Sequence, residues 1–198
     1  MGEQVKKQII RKDAKGCFVE SLNDMFEVGK AHFVFVAYDA NKPVGDRQTN
    51  NIHIYIDIAE VVDFCYMLDS RSFRHLVDDL KKRGDKAPVR EWMGGTSAEK
   101  LEKKGQARTD GMCLSRVAKL VCGSKVDFMF VADSGAGELN EKGLIVPRFG
   151  SRPEQHVVVS LSWGDLRELF LMTKLHYEAW LCAEYVKASS SHTPQGKA

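Results

Sequence analysis

The sequence predicts an α+β fold in which one unit, several antiparallel strands closed by a single helix, occurs twice in tandem. Self-similarity is the first observation that predicts it. Phe33-Val34-Phe35-Val36-Ala37-Tyr38 aligns with Phe128-Met129-Phe130-Val131-Ala132-Asp133 at four identities in six, and Ile52 to Met67 aligns with Val157 to Met172 with apolar residues matched at nine positions. The second observation is a change of period. Ile52, Ile54 and Ile56, like Val157, Val159 and Leu161, alternate as a half-buried strand does, and helical spacing then takes over. The third is punctuation: Val28-Gly29-Lys30 and Val121-Cys122-Gly123-Ser124 give a tight-turn signal ahead of each aromatic strand.

Each element has a local reason. Asp57 with Glu60, and Ser162 with Asp165, stand three residues apart at the start of the two helices, the spacing of a capping box. After the first helix, Asp69-Ser70-Arg71-Ser72 breaks the pattern and Phe73, Leu76, Val77 and Leu80 resume it as a second short helix. The second copy holds extra residues between its matched blocks, read as a further strand at Gly143 to Phe149 or a longer loop. The final helix, from Ser162 to about Lys187, lines up Leu166, Leu169, Phe170, Thr173, Tyr177, Trp180, Leu181 and Tyr185, with Trp180 and Tyr185 assigned to the core. The organisation expected is a first sheet-helix unit at 16–83, a basic connector with a short helix at 84–114, a second unit at 115–187 and a disordered tail at 188–198, the two units packing as one domain.

Composition excludes several classes. A chain of 198 residues with 43% hydrophobic and 28% charged residues is neither a disordered tail nor a miniprotein. Apolar runs such as Ala31 to Tyr38 fall short of the roughly 18 residues a membrane helix needs. The N-terminal residues show no apolar signal core, so a cytoplasmic protein is expected. The five cysteines form no Cys-x-x-Cys and read as reduced, packed side chains.

The net charge of +2 is unevenly placed. Residues 1–80 carry −3 and residues 126–198 carry −2, whereas residues 81–125 carry +7. A concentrated positive excess suits a polyanion, because each cation placed near a phosphate releases condensed counterions. Within this stretch Trp92, Gly94-Gly95, the pair Thr96 and Glu99 as a capping box and Gly105 as a helix stop outline a short helix whose N-terminus is open to a phosphate.

Signals for catalysis are thin. The histidines at 32, 53, 75, 156, 176 and 192 show no metal-ligand spacing, so no metal or cofactor is expected. Ser134-Gly135-Ala136-Gly137-Glu138 lacks the Gly-Lys-Ser/Thr of a phosphate loop and reads as a surface loop, with Asp133, Glu138 and Glu141 as solvated acids. Cys113 has no partner that marks it as a nucleophile. A non-enzymatic chain is therefore expected. On the strand Ile52 to Ile56 the alternation turns His53 and Tyr55 outward, and aromatics on an open sheet beside basic loops make a stacking platform for single-stranded nucleic acid.

The tandem sheet-helix unit with a basic linker and strand-borne aromatics resembles the Whirly and PUR-like group of single-stranded DNA-binding proteins. More narrowly, Gly94-Gly95-Thr96-Ser97-Ala98, Ala107-Arg108-Thr109-Asp110-Gly111, Asn140-Glu141-Lys142-Gly143-Leu144-Ile145-Val146-Pro147 and Arg152-Pro153-Glu154-Gln155 resemble a family of small bacterial proteins carried on integrative conjugative elements. The resemblance spans residues 20–187 and implies binding of single-stranded DNA, or RNA, with little sequence preference, during conjugative transfer or replication. It implies His53, Tyr55 and Trp92 for stacking and Lys100, Lys104, Arg108, Arg116, Lys119, Lys125, Arg148 and Arg152 for phosphates. A monomer with an internal pseudo-twofold, or a homodimer, fits the repeat. The alternative is a regulatory module that docks an acidic protein partner through the basic segment.

Overall fold

Alternating burial lays residues 8–190, those described by this computed structural model, into two antiparallel sheets and four α-helices. The first sheet is β1 (Gln8–Ala14), β2 (Cys17–Leu22), β3 (Lys30–Tyr38) and β4 (Gln48–Asp57), paired in chain order. Helices α1 (Ile58–Asp69) and α2 (Arg71–Arg83) follow. The second sheet starts with β5 (Pro88–Thr96), continues through α3 (Ala98–Lys103) to β6 (Cys113–Cys122) and β7 (Phe128–Leu139), and ends with β8 (Ile145–Pro147) and β9 (Gln155–Leu161), both paired to β7. Helix α4 (Trp163–Ser190) closes the chain. The α+β class thus stands in the structure, as two antiparallel sheets and four α-helices.

The strand registers correct one detail of the repeat. Ala31 pairs with Ile56, and Phe128 pairs with Leu161, with Asp57 and Ser162 next in each chain at the helix starts. Phe33 is therefore equivalent to Phe130, two residues from its match in letters. A shift of two preserves which face each side chain takes, so the inward set is unchanged. Phe33, Phe35, Phe128 and Phe130 are all fully buried, as are Ile52 and Ile56.

The units are interlocked through their helices. Phe64 of α1 meets Trp92 of β5 edge-on at 5.2 Å, and Phe73 of α2 stacks on Phe128 of β7 at 6.4 Å. In return, α4 runs across the first sheet. Phe170 lies 5.2 Å from Phe33, Tyr177 packs edge-on against Phe26 at 5.3 Å, and the buried hydroxyls of Thr173 and Ser21 are 2.7 Å apart. Lys12 of β1 reaches Asp165 at 3.1 Å and also Glu168. The sheets meet where the Cys17 thiol donates to the Val158 carbonyl at 3.0 Å and Asn51 N–H donates to Gln155 Oε1 at 3.2 Å.

Several expectations are revised. Strand β1 precedes the expected start at residue 16, and β5 is a sheet strand inside the expected connector. Both are edge strands in which few residues face the core, so their periodicity is weak. Asp57 does not cap α1 and instead pairs with Lys30 at 2.6 Å, whereas Ser162 and Asp165 form the expected reciprocal cap. Strand β7 continues through Ser134 to Gly137, which is not a surface loop. Its glycines are needed for packing: a Cβ at Gly135 would stand 2.8 Å from Phe149, and one at Gly137 would stand 2.7 Å from Ser115. Tyr185 is 68% exposed because α4 outruns the sheet it packs on, and Trp180 rests half-buried on Phe26. The helix extends to Ser190, into the expected tail, and residues 191–198 of that tail lie outside the described residues.

Trp92 sits where both units meet, so Trp92→Ala should destabilise the chain by about 3–5 kcal/mol, the usual cost of truncating a buried large aromatic. Urea denaturation checks this, and a loss under about 1 kcal/mol contradicts a central position for that ring.

Candidate nucleic-acid interface

The outward face of the first sheet follows from alternation and register. Across β2, β3 and β4 it presents Phe18, Glu20 and Leu22, then Val36, Val34 and His32, then Asn51, His53 and Tyr55. Phe18, Val34 and Val36, with Leu22 and Tyr38, form an apolar cluster separate from the main core. Arg11 of β1 lays its guanidinium 3.5 Å over the Phe18 ring and pairs with Asp13 at 2.5 Å.

Beside this cluster lies a polar chain. Asp24 Oδ1 is 2.7 Å from His32 Nδ1, and His32 Nε2 is 2.9 Å from His53 Nδ1. With Asp24 accepting from Nδ1, Nε2 of His32 is left to accept from the Nδ1–H of His53. Tyr55 stacks on His32 with centroids 4.5 Å apart and is 40% exposed. The His32 imidazole, held between Asp24 and His53, thus backs one face of the phenol ring.

The second sheet differs at the equivalent places. Val117, Val121, Met129, Val158 and Ser160 stand where the first sheet has Phe18, Leu22, His32, His53 and Tyr55. Its outward face is crossed instead by an ionic ribbon. Lys119 is 3.9 Å from Glu91 and 3.6 Å from Asp133, and Asp133 Oδ1 lies 2.6 Å from His156 Nδ1. Asp133 is therefore a buried partner in a network and not a solvated loop acid.

The expected site residues separate. His53 and Tyr55 share the outward face with Phe18 and His32, two residues that pairing β2 with β3 and β3 with β4 at the correct registers would have revealed. Trp92 is 4% exposed inside the core, walled by Phe64, Phe130 and Phe170, which closes it to a base. Arg108 is taken by two carboxylates, Asp110 and Glu154, each at 2.6 Å, and holds the loop after α3 to the loop before β9. Lys119 lies in the ionic ribbon and Arg148 pairs with Glu138. Lys125 lines a cleft of about 480 Å³ with Lys81, Ser124, Asp127 and Ser162, at the β6–β7 turn. Asp127 already fills the start of α4 there, accepting from Trp163 N–H at 2.9 Å and from Lys81 at 3.2 Å. Lys100, Lys104 and Arg152 make no ion pair among the described residues.

Arg116 is the expected phosphate residue whose charge is felt by Tyr55. It projects from β6 on the inner side, donates to Thr96 Oγ1 at 3.0 Å, and lies close enough to Tyr55 for the two to interact electrostatically. Burial lowers its pKa from the ordinary arginine value. The segment around it folds otherwise than its spacing predicts: Ser97, not Thr96, caps α3, accepting from Lys100 N–H at 3.3 Å. Helix α3 spans only six residues, too short to serve as a phosphate site. Gly95 is packed under Ile145, its Cβ position 2.8 Å from that side chain.

Among the described residues no cluster of His, Cys, Asp and Glu is placed to hold a metal, and no helix is long and apolar enough to cross a membrane. Compared with protein-family models, with curated proteins and with solved structures, the chain finds no match.

The Arg108 clamp gives a pH signature. Its guanidinium holds the Glu154 and Asp110 carboxyls below the usual carboxylate range. Depressed acids stabilise the fold above their unfolded pKa and lose that contribution as pH falls through the folded one. Arg108→Ala should therefore melt lower than the wild type at neutral pH, and the gap should close below about pH 4. A gap constant with pH, in melting curves from acid to neutral, would contradict the clamp.

Proposed function

We propose that this chain is a non-catalytic binder of single-stranded nucleic acid, DNA foremost, with low sequence preference. The observation that carries the reading is the inequality of the two outward faces. The first sheet bears the exposed Tyr55 and the half-buried His53, backed by the buried His32 and Phe18, where the second bears aliphatic and small side chains, so one sheet offers rings to a base and the other does not. Stacking on such rings tolerates any base and contributes roughly 1–3 kcal/mol per base. The His32 to His53 chain fixes the Tyr55 plane before a strand arrives, which reduces the ordering cost of binding. Arg116 supplies positive charge beside that row, and Lys100, Lys104 and Arg152 add cations free of ion pairs among the described residues. A role in conjugative transfer or replication belongs to the same proposal and rests on the resemblance in sequence alone.

Anisotropy titration of a labelled oligo(dT) of about 30 nucleotides at two salt concentrations, with duplex of equal length as competitor, tests the reading. Salt-sensitive binding that duplex fails to displace is the expected result. Tyr55→Ala combined with His53→Ala should weaken it by about tenfold or more, which is the loss of one stacked base. Absence of binding at low salt overturns the proposal and favours an acidic protein as the partner of the basic segment.

A further inference from the structure

A strand stacked on the first sheet needs its backbone held, and the second sheet offers one place shaped for that. Arg116, Ser134 and Gln155 stand in a row across β6, β7 and β9, with Gly94 of β5 directly opposite Arg116. All four share the inner face. The Arg116 side chain is half-buried, yet its protein partner among the described residues is a neutral hydroxyl, Thr96 Oγ1 at 3.0 Å, and no described carboxylate lies within ion-pair distance. The two other half-buried arginines among the described residues are treated differently: Arg108, at 16% side-chain exposure, holds two carboxylates, and Arg90 lies 3.6 Å from Asp63. A guanidinium has five N–H donors, so Arg116 retains donors for an acceptor that the protein does not supply. Desolvating a charge without an opposite partner is costly, and a fold does not gain from keeping it for packing alone.

The space beside it is open. A Cβ built on Gly94 meets nothing within 4 Å, in contrast to neighbouring Gly95, where one would meet Leu114 and Ile145. Gly94 has an ordinary strand conformation, so its backbone does not require glycine. What glycine provides there is room. The other occupants of the region are polar and neutral: Thr96 and Ser134, with Gln155 already accepting from Asn51 N–H.

We infer that Arg116, Thr96 and the opening over Gly94 form an anion-binding site that takes a backbone phosphate of the bound strand. The assignment rests on the nucleic-acid reading for its ligand source, but the site itself stands on geometry. The planar fork of a guanidinium matches two phosphate oxygens, and the Thr96 hydroxyl holds the fork in place. The second unit thereby contributes the phosphate anchor to the base-stacking face of the first, and binding needs both units.

Melting of the full chain in inorganic phosphate against chloride at equal ionic strength is the direct test, run on the wild type, Arg116→Gln and Gly94→Val. Phosphate should raise the melting temperature of the wild type alone. Without phosphate, Arg116→Gln should melt no lower than the wild type, since it removes a half-buried charge that no described carboxylate compensates, and Gly94→Val should melt as the wild type does. Both variants should weaken oligo(dT) binding by about tenfold, and Arg116→Gln should lower the salt slope by about one. Equal phosphate responses in all three proteins, or none in the wild type, overturn the site. A marked loss of stability in Arg116→Gln makes the residue structural. Loss of the phosphate response with unchanged oligonucleotide affinity assigns the site to a free anion and overturns its place on the strand. A wild type that answers to phosphate through Arg116 yet binds no oligonucleotide upholds the anion site and sinks the nucleic-acid reading.

Discussion

The ring of Phe170 is the contact on which the rest of the molecule depends. From the middle of α4 it touches Phe33 of β3, Phe64 of α1, Trp92 of β5 and Phe130 of β7, at 4.6 to 6.1 Å between centroids. One side chain of α4 therefore joins both sheets and helix α1. Aromatic rings bury large apolar areas and favour tilted, offset and edge-on geometries, and this cluster holds all three. Neither sheet has a complete inner covering from its own unit, because α4 lies on the first and α1 and α2 reach the second. The hydroxyl pair Thr173 and Ser21, buried between α4 and β2, ties the same exchange with a polar contact that only one register satisfies.

With the inner faces committed to a shared core, the outward faces are released to differ. On the inward side every matched position of the central strands is apolar, Phe33 with Phe130 and Ile56 with Leu161, though Ala31 stands where the second sheet has Phe128 and Phe35 where it has Ala132; the two sheets part on the outside. The first face is apolar and aromatic and carries the Asp24, His32, His53 chain, of which His32 is buried under Tyr55. The second is crossed by the Glu91, Lys119, Asp133, His156 ribbon and partly covered near Gly95 and Gly135 by Ile145 and Phe149.

The parts of the fold with strong periodicity were legible. Ile52 to Ile56, Val157 to Leu161 and the Ser162 cap read directly because one face of each element is almost wholly apolar. Strands β1 and β5 did not read, since an edge strand with one or two inward residues carries little signal. Trp92 lies on β5 and so inherited the wrong role: beside lysines in the sequence, it faces Phe64 and Phe170 in space. Local charge misled in the same manner with Arg108, whose partner Glu154 is 46 residues away. The letter match of Phe33 with Phe128 failed by two residues because helix caps, not aromatic identities, set the registers. Of the candidate site, His53 and Tyr55 were readable from alternation, whereas their company with Arg116 depends on how β4 crosses the second sheet.

The central claim is that the first sheet's outward face, completed by Arg116, is the working surface of the molecule. Amide hydrogen exchange of the full chain with and without saturating oligo(dT) addresses it most directly. The account predicts added protection confined to β2, β3 and β4 and to the segments around Gly94 and Arg116, with the outward residues of β7 and β9 unchanged. Protection centred on the Glu91 to His156 ribbon, or on the turn that holds Lys125, would contradict it.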